Sequence, residues 1–224
     1  MVVRQWLEST RSCAQFRRQH RYRAALQGAL LELEVHPPTK LGAVITATEP
    51  WEVAAVYAYN TMLKVNDTTF FMYYDVIASN KPLLRFTALA ISHDGIEFSK
   101  PSLGATWFNG SRANNLVWPP SDGRAGHAPY AYHEPGSVFI DTKPGTPAAE
   151  RFKMAASWKG GIWLMGSPDG IHFKPMFGKA VVADSDTQNV AFFDEHTQRY
   201  VGYIRIDNGS PPEHEANETC RVQV

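Results

Sequence analysis

Three carboxylate side chains stand shortly before strand-like runs in this 224-residue chain. They are Glu52, Glu134 and Asp186. Carboxyl groups supplied by separate strands can meet at one end of a sheet, where one donates a proton and another acts as a base or a nucleophile. The positions therefore favour acid–base or nucleophilic chemistry. The alternative for each residue is a solvated loop carboxylate or a hydrogen-bonded structural one.

The strands that would position these acids are indicated by a repeat. The pattern Ser-x-Asp-Gly-Ile-x-Phe occurs at Ser92–Phe98 and again at Ser167–Phe173. Asp-Gly is typical of a two-residue hairpin turn because glycine adopts positive φ at little cost, and the Ile-x-Phe that follows alternates as a half-buried strand does. We therefore predict a tight β-hairpin at each copy, with the two hairpins in separate, similar sheets.

A larger unit surrounds each hairpin. An apolar run, a polar turn and a second apolar run precede both copies, and a third copy of this upstream part begins at residues 189–206. Four-stranded antiparallel units repeated along a chain are typical of β-propeller blades, with a β-sandwich as the alternative. We predict an all-β fold with about two and a half blades over residues 41–206. A basic extension with an N-terminal helix (residues 1–40) precedes them, and a polar coil tail without return strands (residues 207–224) follows.

Composition argues against several kinds of protein. Basic and acidic residues number 22 each, but the first 23 residues hold six arginines and Glu8 as their one acid, so the remainder is mildly acidic. A mildly acidic body is unsuited to a nucleic-acid groove, and the apolar runs are too interrupted for a membrane span. Two cysteines (Cys13 and Cys220) and scattered histidines predict no metal site, and no motif indicates a cofactor.

The cellular compartment stays open at the level of sequence. Four glycosylation sequons favour secretion of a longer parent, and they begin at Asn66, Asn109, Asn208 and Asn217. Residues 1–36 contain no apolar stretch of the kind found in a secretory signal peptide.

An ordered series of short segments carries a family resemblance. The series includes "EPWE", "FFMYYD", "ISHDGIEFSKPSLG", "NNLVW", "SPDGIHF" and "DTQNVAFFDEHTQRYVGYIR", and it extends from about Leu41 to Ile206. It resembles the five-bladed β-propeller glycosidases, which comprise invertases, arabinanases and β-xylosidases, and in particular their family 32-like relatives. The resemblance implies an incomplete five-bladed propeller and glycoside hydrolysis by two carboxyl groups. The Asn-Asp-Pro-Asn and Arg-Asp-Pro motifs of the invertase branch are not present.

The resemblance also implies which residues face the ligand. In such a propeller the funnel opens where the first strand of each blade begins, so the turn aspartates Asp67, Asp94, Asp141, Asp169 and Asp194 lie at the opposite end and serve as turn residues. Glu52 and Asp186 are the leading catalytic pair, with Glu134 as the third candidate. Asn60 stands where the arabinanase branch carries its base, and an amide cannot act as one. The predicted substrate-binding residues are Trp51, Asn60, Asp75, Asn114, Asn115, His133, Gln188, Asn189 and Arg205.

Two functions therefore remain as predictions. One is a glycoside hydrolase-like enzyme with an oligosaccharide or polysaccharide as substrate. The other is a non-catalytic carbohydrate-binding or inactive propeller fragment. Two carboxylates about 5–10 Å apart at the funnel would favour the enzyme. Carboxylates that are scattered or paired with arginine would favour the binding protein.

Overall fold

A computed structural model describes residues 39–40, 42–80, 83–119, 133–183, 187–206 and 219–223. These residues form thirteen β-strands and one short 3-10 turn, Ala148–Glu150, so the predicted all-β class is confirmed. The predicted N-terminal helix lies outside the described residues. No helix among the described residues has the length and apolar character needed to cross a membrane.

The first sheet is an antiparallel unit in chain order. Its strands are β1 (Ala55–Asn66), β2 (Thr69–Asn80), β3 (Leu83–Ser92), β4 (Phe98–Ser99) and β5 (Leu116–Trp118). The order across the sheet is β1-β2-β3-β4, and β5 pairs with Thr87 and Ala88 of β3, on the same edge of β3 as β4. The runs that form β2 and β3 are rich in aromatic and aliphatic residues and are largely buried, as expected of central strands.

The second sheet repeats this plan. Its strands are β6 (His133–Ile140), β7 (Phe152–Trp158), β8 (Gly161–Ser167), β9 (Lys174–Pro175) and β10 (Val182–Ala183). The order is β6-β7-β8-β10, and β9 also pairs with β8. Each repeated hairpin therefore lies in its own antiparallel sheet, which is four strands wide with a fifth strand off that path, in agreement with the separate sheets that the sequence predicts.

A third sheet corrects the prediction for the tail. It contains β11 (Val190–Asp194), β12 (Arg199–Ile206) and β13 (Thr219–Gln223), in that order. The expectation of a coil tail without return strands is therefore wrong, because Thr219 pairs with Ile206 and the ladder continues along β12. The polar composition of residues 207–224 gave no indication of the short Thr-Cys-Arg-Val-Gln strand. This strand supplies hydrogen-bond partners to the edge of β12 that does not pair with β11.

The turn inside each repeated hairpin also differs from the prediction. Ser92 pairs with Phe98, so five residues, not two, connect β3 to β4. Asp94 Oδ1 accepts the backbone N–H groups of Ile96 and Glu97, both at 2.8 Å, and Ser92 Oγ accepts that of Gly95 at 2.8 Å. The serine and aspartate side chains thus close a wider loop than an Asp-Gly turn would. Residues 167–172 form the same hydrogen bonds.

Two apolar layers lie on the two faces of the first sheet. One packs against the second sheet and contains Tyr73, Leu89, Trp118, Phe152, Met154 and Met165. The other contains Trp51, Tyr74, Phe86 and Leu116, and Phe108 of a long loop packs against it. Successive residues of a strand face opposite sides of the sheet, so neighbours such as Tyr74 and Asp75 belong to different layers.

The two repeat glycines give a matched test of blade packing. Gly170 and Gly95 have nearly the same φ (+76° and +77°), but an added Cβ at Gly170 would lie 2.5 Å from Tyr73 Oη, whereas at Gly95 the nearest atoms are 3.8 Å away. Tyr73 also donates a hydrogen bond to Gly170 O across the interface. We expect Gly95→Ala to cost about 1 kcal/mol of unfolding free energy, from the positive φ. Gly170→Ala should cost about 1–3 kcal/mol more, from overpacking. Urea unfolding measures both, and equal losses would contradict this interface.

Candidate functional site

The first strand of each of the two large sheets, β1 and β6, contains a β-bulge near its N-terminal end. We call the end of the sheets at which β1 and β6 begin the mouth. Tyr57 of β1 pairs with Asp75 of β2, and Thr61 pairs with Tyr73. The four residue steps from Tyr57 to Thr61 therefore lie opposite only two residue steps of β2. In β6, the interval from Glu134 to Ser137 opposes only two steps of β7. Bulges re-aim side chains and are common beside binding sites. The mouth therefore carries an irregularity in both blades at the same level.

A buried arginine joins the two blades at the mouth. Arg85 Nε lies 2.9 and 2.8 Å from the two carboxylate oxygens of Asp75, Nη2 contacts Asp75 as well, and Nη1 lies 2.6 Å from Glu134 Oε2. The exposed fractions of these side chains are 8% for Arg85, 0% for Asp75 and 9% for Glu134. Such a guanidinium fork fixes both carboxylates in orientation as well as in charge.

The ionisation of this cluster follows from burial and pairing. Burial raises the pKa of Asp75, and the hydrogen bonds and charge of Arg85 oppose that rise only in part. Burial disfavours the Arg85 cation, but Asp75 and Glu134 outweigh it and raise the pKa of Arg85. The guanidinium therefore stays protonated, and Asp75 holds a proton more readily than an exposed aspartate does.

Two tyrosines of the β1 bulge cover the guanidinium. The ring centroids of Tyr57 and Tyr59 lie 5.5 and 5.4 Å from Arg85 Cζ, within cation–π range. The rings stand at 80° to each other, and 52% of Tyr57 is exposed. A solvent-facing aromatic ring thus borders a buried ion cluster, and such an edge can contact both an apolar face and polar groups of a ligand.

The segment that leads into the third sheet completes the mouth. Thr187 Oγ1 donates to Tyr59 Oη at 2.7 Å, and Gln188 Nε2 lies 3.4 Å from Thr61 Oγ1. Asn189 is buried and donates to Thr187 O at 3.0 Å. Of the predicted site residues, Asp75, Glu134, Asn60, Gln188 and Asn189 therefore belong to the mouth, with Asn60 exposed in the bulge.

Glu52 lies apart from the Arg85 cluster, and its place in a catalytic pair stays a prediction. Its Oε2 accepts hydrogen bonds from Thr48 N, Glu49 N and Lys100 Nζ at 2.8, 3.0 and 2.7 Å, and its Oε1 accepts one from Tyr74 Oη at 2.8 Å. Tyr74 faces the layer opposite to that of Asp75, so Glu52 and the Arg85 cluster are on different faces of the first sheet. Burial by itself raises the pKa of Glu52, but these donors outweigh it and lower the pKa.

Three predicted substrate-binding residues belong to the same buried framework as Glu52. Trp51 Nε1 donates to Asn115 Oδ1 at 2.8 Å, and Asn115 Nδ2 donates to Tyr74 Oη at 2.7 Å. Asn114 Nδ2 donates to Thr106 O at 2.9 Å. At most 8% of Trp51, Asn114 or Asn115 is exposed. Their polar atoms hold the loop against the sheet, and their part in substrate binding stays a prediction.

The remaining predicted residues are only partly described. Asp186 lies outside the described residues. His133 begins β6, opposite Trp158, and Arg205 lies in β12, opposite Cys220.

Comparisons with known proteins give distant likenesses. No protein-family model matches the chain, and no curated protein matches its sequence. A glycosyl hydrolase from Bacteroides ovatus has a TM-score of 0.43 and 13% identity over 70% of this chain and 44% of that chain. A structure from the GH130 family of mannoside phosphorylases, which contains glycoside hydrolases that target β-1,2-mannosidic linkages in Candida mannan, has a TM-score of 0.30 and 11% identity over 74% of this chain and 68% of that chain.

These values leave the activity to be inferred from the site itself. The chain spans less than half of the length of the Bacteroides ovatus protein, so the activity of a whole protein of that kind is a proposal here.

The turn aspartates sit at the end opposite the mouth. Asp94 and Asp169 hold the repeat turns, and Asp194 accepts hydrogen bonds from His196 N and Thr197 Oγ1. Asp141 accepts hydrogen bonds from Lys153 Nζ at 2.5 Å and from Tyr200 Oη at 2.7 Å, which joins the second sheet to β12. Burial raises the pKa of Tyr200 to about 12, and Asp141 adds to the rise. These contacts give the aspartates structural roles.

Sequence reasoning did not find Arg85, Tyr57, Tyr59 or Thr187. Arg85 carries a usable signal, because it is the single charged residue in the apolar run "LRFTALAIS", and a charge in a buried strand requires partners. The tyrosines carry none, since their approach to Arg85 depends on a bulge that appears only once β1 is paired with β2.

Proposed function

We propose that this protein binds a carbohydrate at the mouth and belongs to the glycosidase-like propellers. The observation that carries the proposal is an exposed aromatic ring, Tyr57, beside two carboxylates that one guanidinium holds in place. An aromatic face covers the apolar side of a sugar ring, and oriented carboxylate and amide groups such as those of Glu134 and Gln188 bind its hydroxyl groups.

The charge of the cluster indicates the kind of sugar. One guanidinium and two carboxylates leave at most one net negative charge, and both carboxylates are oriented by the arginine. An anionic sugar would meet like charge at this position, which costs binding free energy. The proposed ligand is therefore a neutral glycoside.

Pairing with arginine favours binding over proton transfer. A general acid must be able to give its proton to the leaving group, and the Glu134 carboxylate is already engaged by a guanidinium 2.6 Å away. Among the described residues the mouth therefore supports recognition of a sugar more directly than cleavage of a bond.

Hydrolysis is the second candidate, and a different observation supports it. Asp75 and Glu134 share one guanidinium, so two carboxyl groups already stand together at the mouth, and burial raises the pKa of one of them. Asp186, predicted from the sequence as a catalytic carboxylate, immediately precedes the mouth residue Thr187 in the chain. Glycoside hydrolysis requires two such groups.

A matched pair of variants tests the binding site. Tyr57 and Met62 are both in β1 and are exposed by 52% and 50%, but only Tyr57 borders Arg85. We expect Tyr57→Ala to weaken binding of a neutral disaccharide about tenfold or more, because an aromatic contact is lost, and Met62→Ala to leave it unchanged. Calorimetry with sucrose, arabinobiose, xylobiose and β-1,2-mannobiose measures the binding.

The same panel separates the two candidates. Binding without release of monosaccharide supports the binding protein. Release that disappears in Asp186→Asn, while binding persists, would establish the hydrolase. If the wild-type protein binds none of the sugars, or if Met62→Ala weakens binding as much as Tyr57→Ala does, the proposed site is wrong.

A further inference from the structure

Two mouth residues adopt an unfavourable backbone conformation, and they contact each other. Five non-glycine residues among those described have positive φ. Three of them, Asn109, Lys159 and Gln198, lie in tight turns, where this conformation is ordinary. The other two are Tyr59, at +70° in the β1 bulge, and Thr187, at +60° in the segment before β11.

The strain at these two residues requires a cause outside their own sequence. A bulky or β-branched residue at positive φ is a genuine outlier, and such residues persist only where the surrounding structure fixes them. The contact between them is a 2.7 Å hydrogen bond from Thr187 Oγ1 to Tyr59 Oη, across 128 residues of chain. A second contact, from Gln188 Nε2 to Thr61 Oγ1, lies beside it.

The hydrogen bond from Thr187 to Tyr59 lies next to the proposed ligand surface. The Tyr59 ring lies 5.4 Å from Arg85 Cζ and stands edge-on to Tyr57, whose ring faces solvent. The hydrogen bond to Tyr59 Oη therefore fixes one end of the Tyr59 ring, and the Tyr59 ring packs against the exposed ring of Tyr57. Pre-organised aromatic contacts bind more tightly because less conformational freedom is lost on binding.

We propose that Thr187 is a positioning residue for the sugar site. Its hydroxyl group holds Tyr59 over the Arg85 guanidinium, so the segment that leads into the third sheet determines the shape of a ligand surface formed by the first. This inference rests on the proposed function, and it adds that the site depends on three sheets and not on the first two alone.

Hydroxyl deletion and its rescue test the role of Thr187. Thr187→Val removes the hydroxyl group and keeps the side-chain shape, whereas Thr187→Ser restores it. Thr197→Val is the matched control, because Thr197 Oγ1 donates a similarly short hydrogen bond (2.6 Å to Asp194) in the turn between β11 and β12, at the end of the third sheet away from the mouth. We measure affinity for the panel disaccharide that binds most tightly, together with hydrogen–deuterium exchange of residues 57–61.

We expect Thr187→Val to raise exchange in residues 57–61 and to weaken sugar binding about three- to tenfold. Thr187→Ser and Thr197→Val should both behave like the wild-type protein in these two measurements. Unchanged exchange in Thr187→Val would overturn the contact itself. Raised exchange with unchanged affinity would overturn the positioning role, and the contact would stand.

Failure of the proposed function gives a different result. In that case no sugar of the panel binds to the wild-type protein, which overturns the ligand part of this inference as well. The exchange measurement, which needs no ligand, then still decides whether Thr187 holds the bulge.

Discussion

Arg85→Met should lower the free energy of unfolding by about 3–5 kcal/mol, a large fraction of the stability of an ordinary domain. Methionine replaces the aliphatic part of the arginine but leaves the carboxylates of Asp75 and Glu134 without their cation, although less than a tenth of each is exposed. The cost comes from two desolvated charges that have lost a partner. Urea unfolding at pH 7 measures it.

An exposed ion pair of the same sheet gives the control for Arg85→Met. Lys64 lies 2.9 Å from Asp67, and these side chains are 56% and 98% exposed. Lys64→Met should cost less than about 1 kcal/mol, because water already screens that pair. Equal losses in the two variants would show that the Arg85 cluster is not buried in solution.

The pH dependence of Arg85→Met has a defined sign. Burial already raises the pKa of Asp75, and removal of the opposing cation raises it further. The folded variant then binds protons more tightly than the unfolded chain, so its stability falls as pH rises through the raised pKa. We expect Arg85→Met to lose more stability than the wild-type protein as pH rises above 3.8, the ordinary value of an aspartate. A parallel pH dependence of the two proteins would contradict this.

Glu52→Gln should also destabilise the protein by about 3–5 kcal/mol, through the broken buried pair with Lys100. Glutamine keeps the size of the side chain, but an NH2 group replaces one of the two carboxylate oxygens. Both oxygens accept hydrogen bonds in the wild-type protein, from four donor groups in total. Glu97→Gln, at an exposed position, is the control and should be close to neutral. Sugar binding at the mouth should stay unchanged in the fraction of Glu52→Gln that remains folded, because Glu52 lies on the other face of the sheet.

Acid titration distinguishes the structural role of Glu52 from a catalytic one. Because the pKa of Glu52 is lowered from its ordinary value of 4.5, its contribution to stability is present above that value and is lost as pH falls through the lowered pKa. The wild-type protein should therefore lose stability below about pH 4.5 more steeply than Glu52→Gln does. If Glu52→Gln kept full stability and abolished turnover, the result would support the prediction of a catalytic Glu52.

The repeat and its strands could be predicted from the sequence because their causes are local. Alternating apolar residues and the Ser-x-Asp-Gly pattern specify strands and a turn through the nearest few residues, and both hairpins form in separate antiparallel sheets. The length of the turn could not be predicted from Asp-Gly alone. It depends on how the Ser92 and Asp94 side chains share the backbone N–H groups, and that geometry is not present in the dipeptide.

The site could be predicted only in part, for a reason of the same kind. The sequence placed Asp75, Glu134 and Gln188 at the mouth because strand ends there are fixed by chain direction, which the order of strands determines. Glu52 and Asn115 occur at similar strand ends, yet their side chains are buried. Their oxygens accept hydrogen bonds from Lys100 and Tyr74 (to Glu52) and from Trp51 (to Asn115). Which face of a sheet a loop residue takes depends on packing with distant segments.

The sequence by itself determined the strands, the repeated blades and the presence of acids and amides near their ends. Only the tertiary structure decided that Arg85 binds both Asp75 and Glu134. It also decided that the Tyr59 ring lies over the Arg85 guanidinium and accepts a hydrogen bond from Thr187. Strand formation follows from neighbours in the chain, which the sequence displays directly. Ion pairs, bulges and the contacts between blades join residues from 10 to 128 positions apart, and their free energy exists only once the sheets have packed.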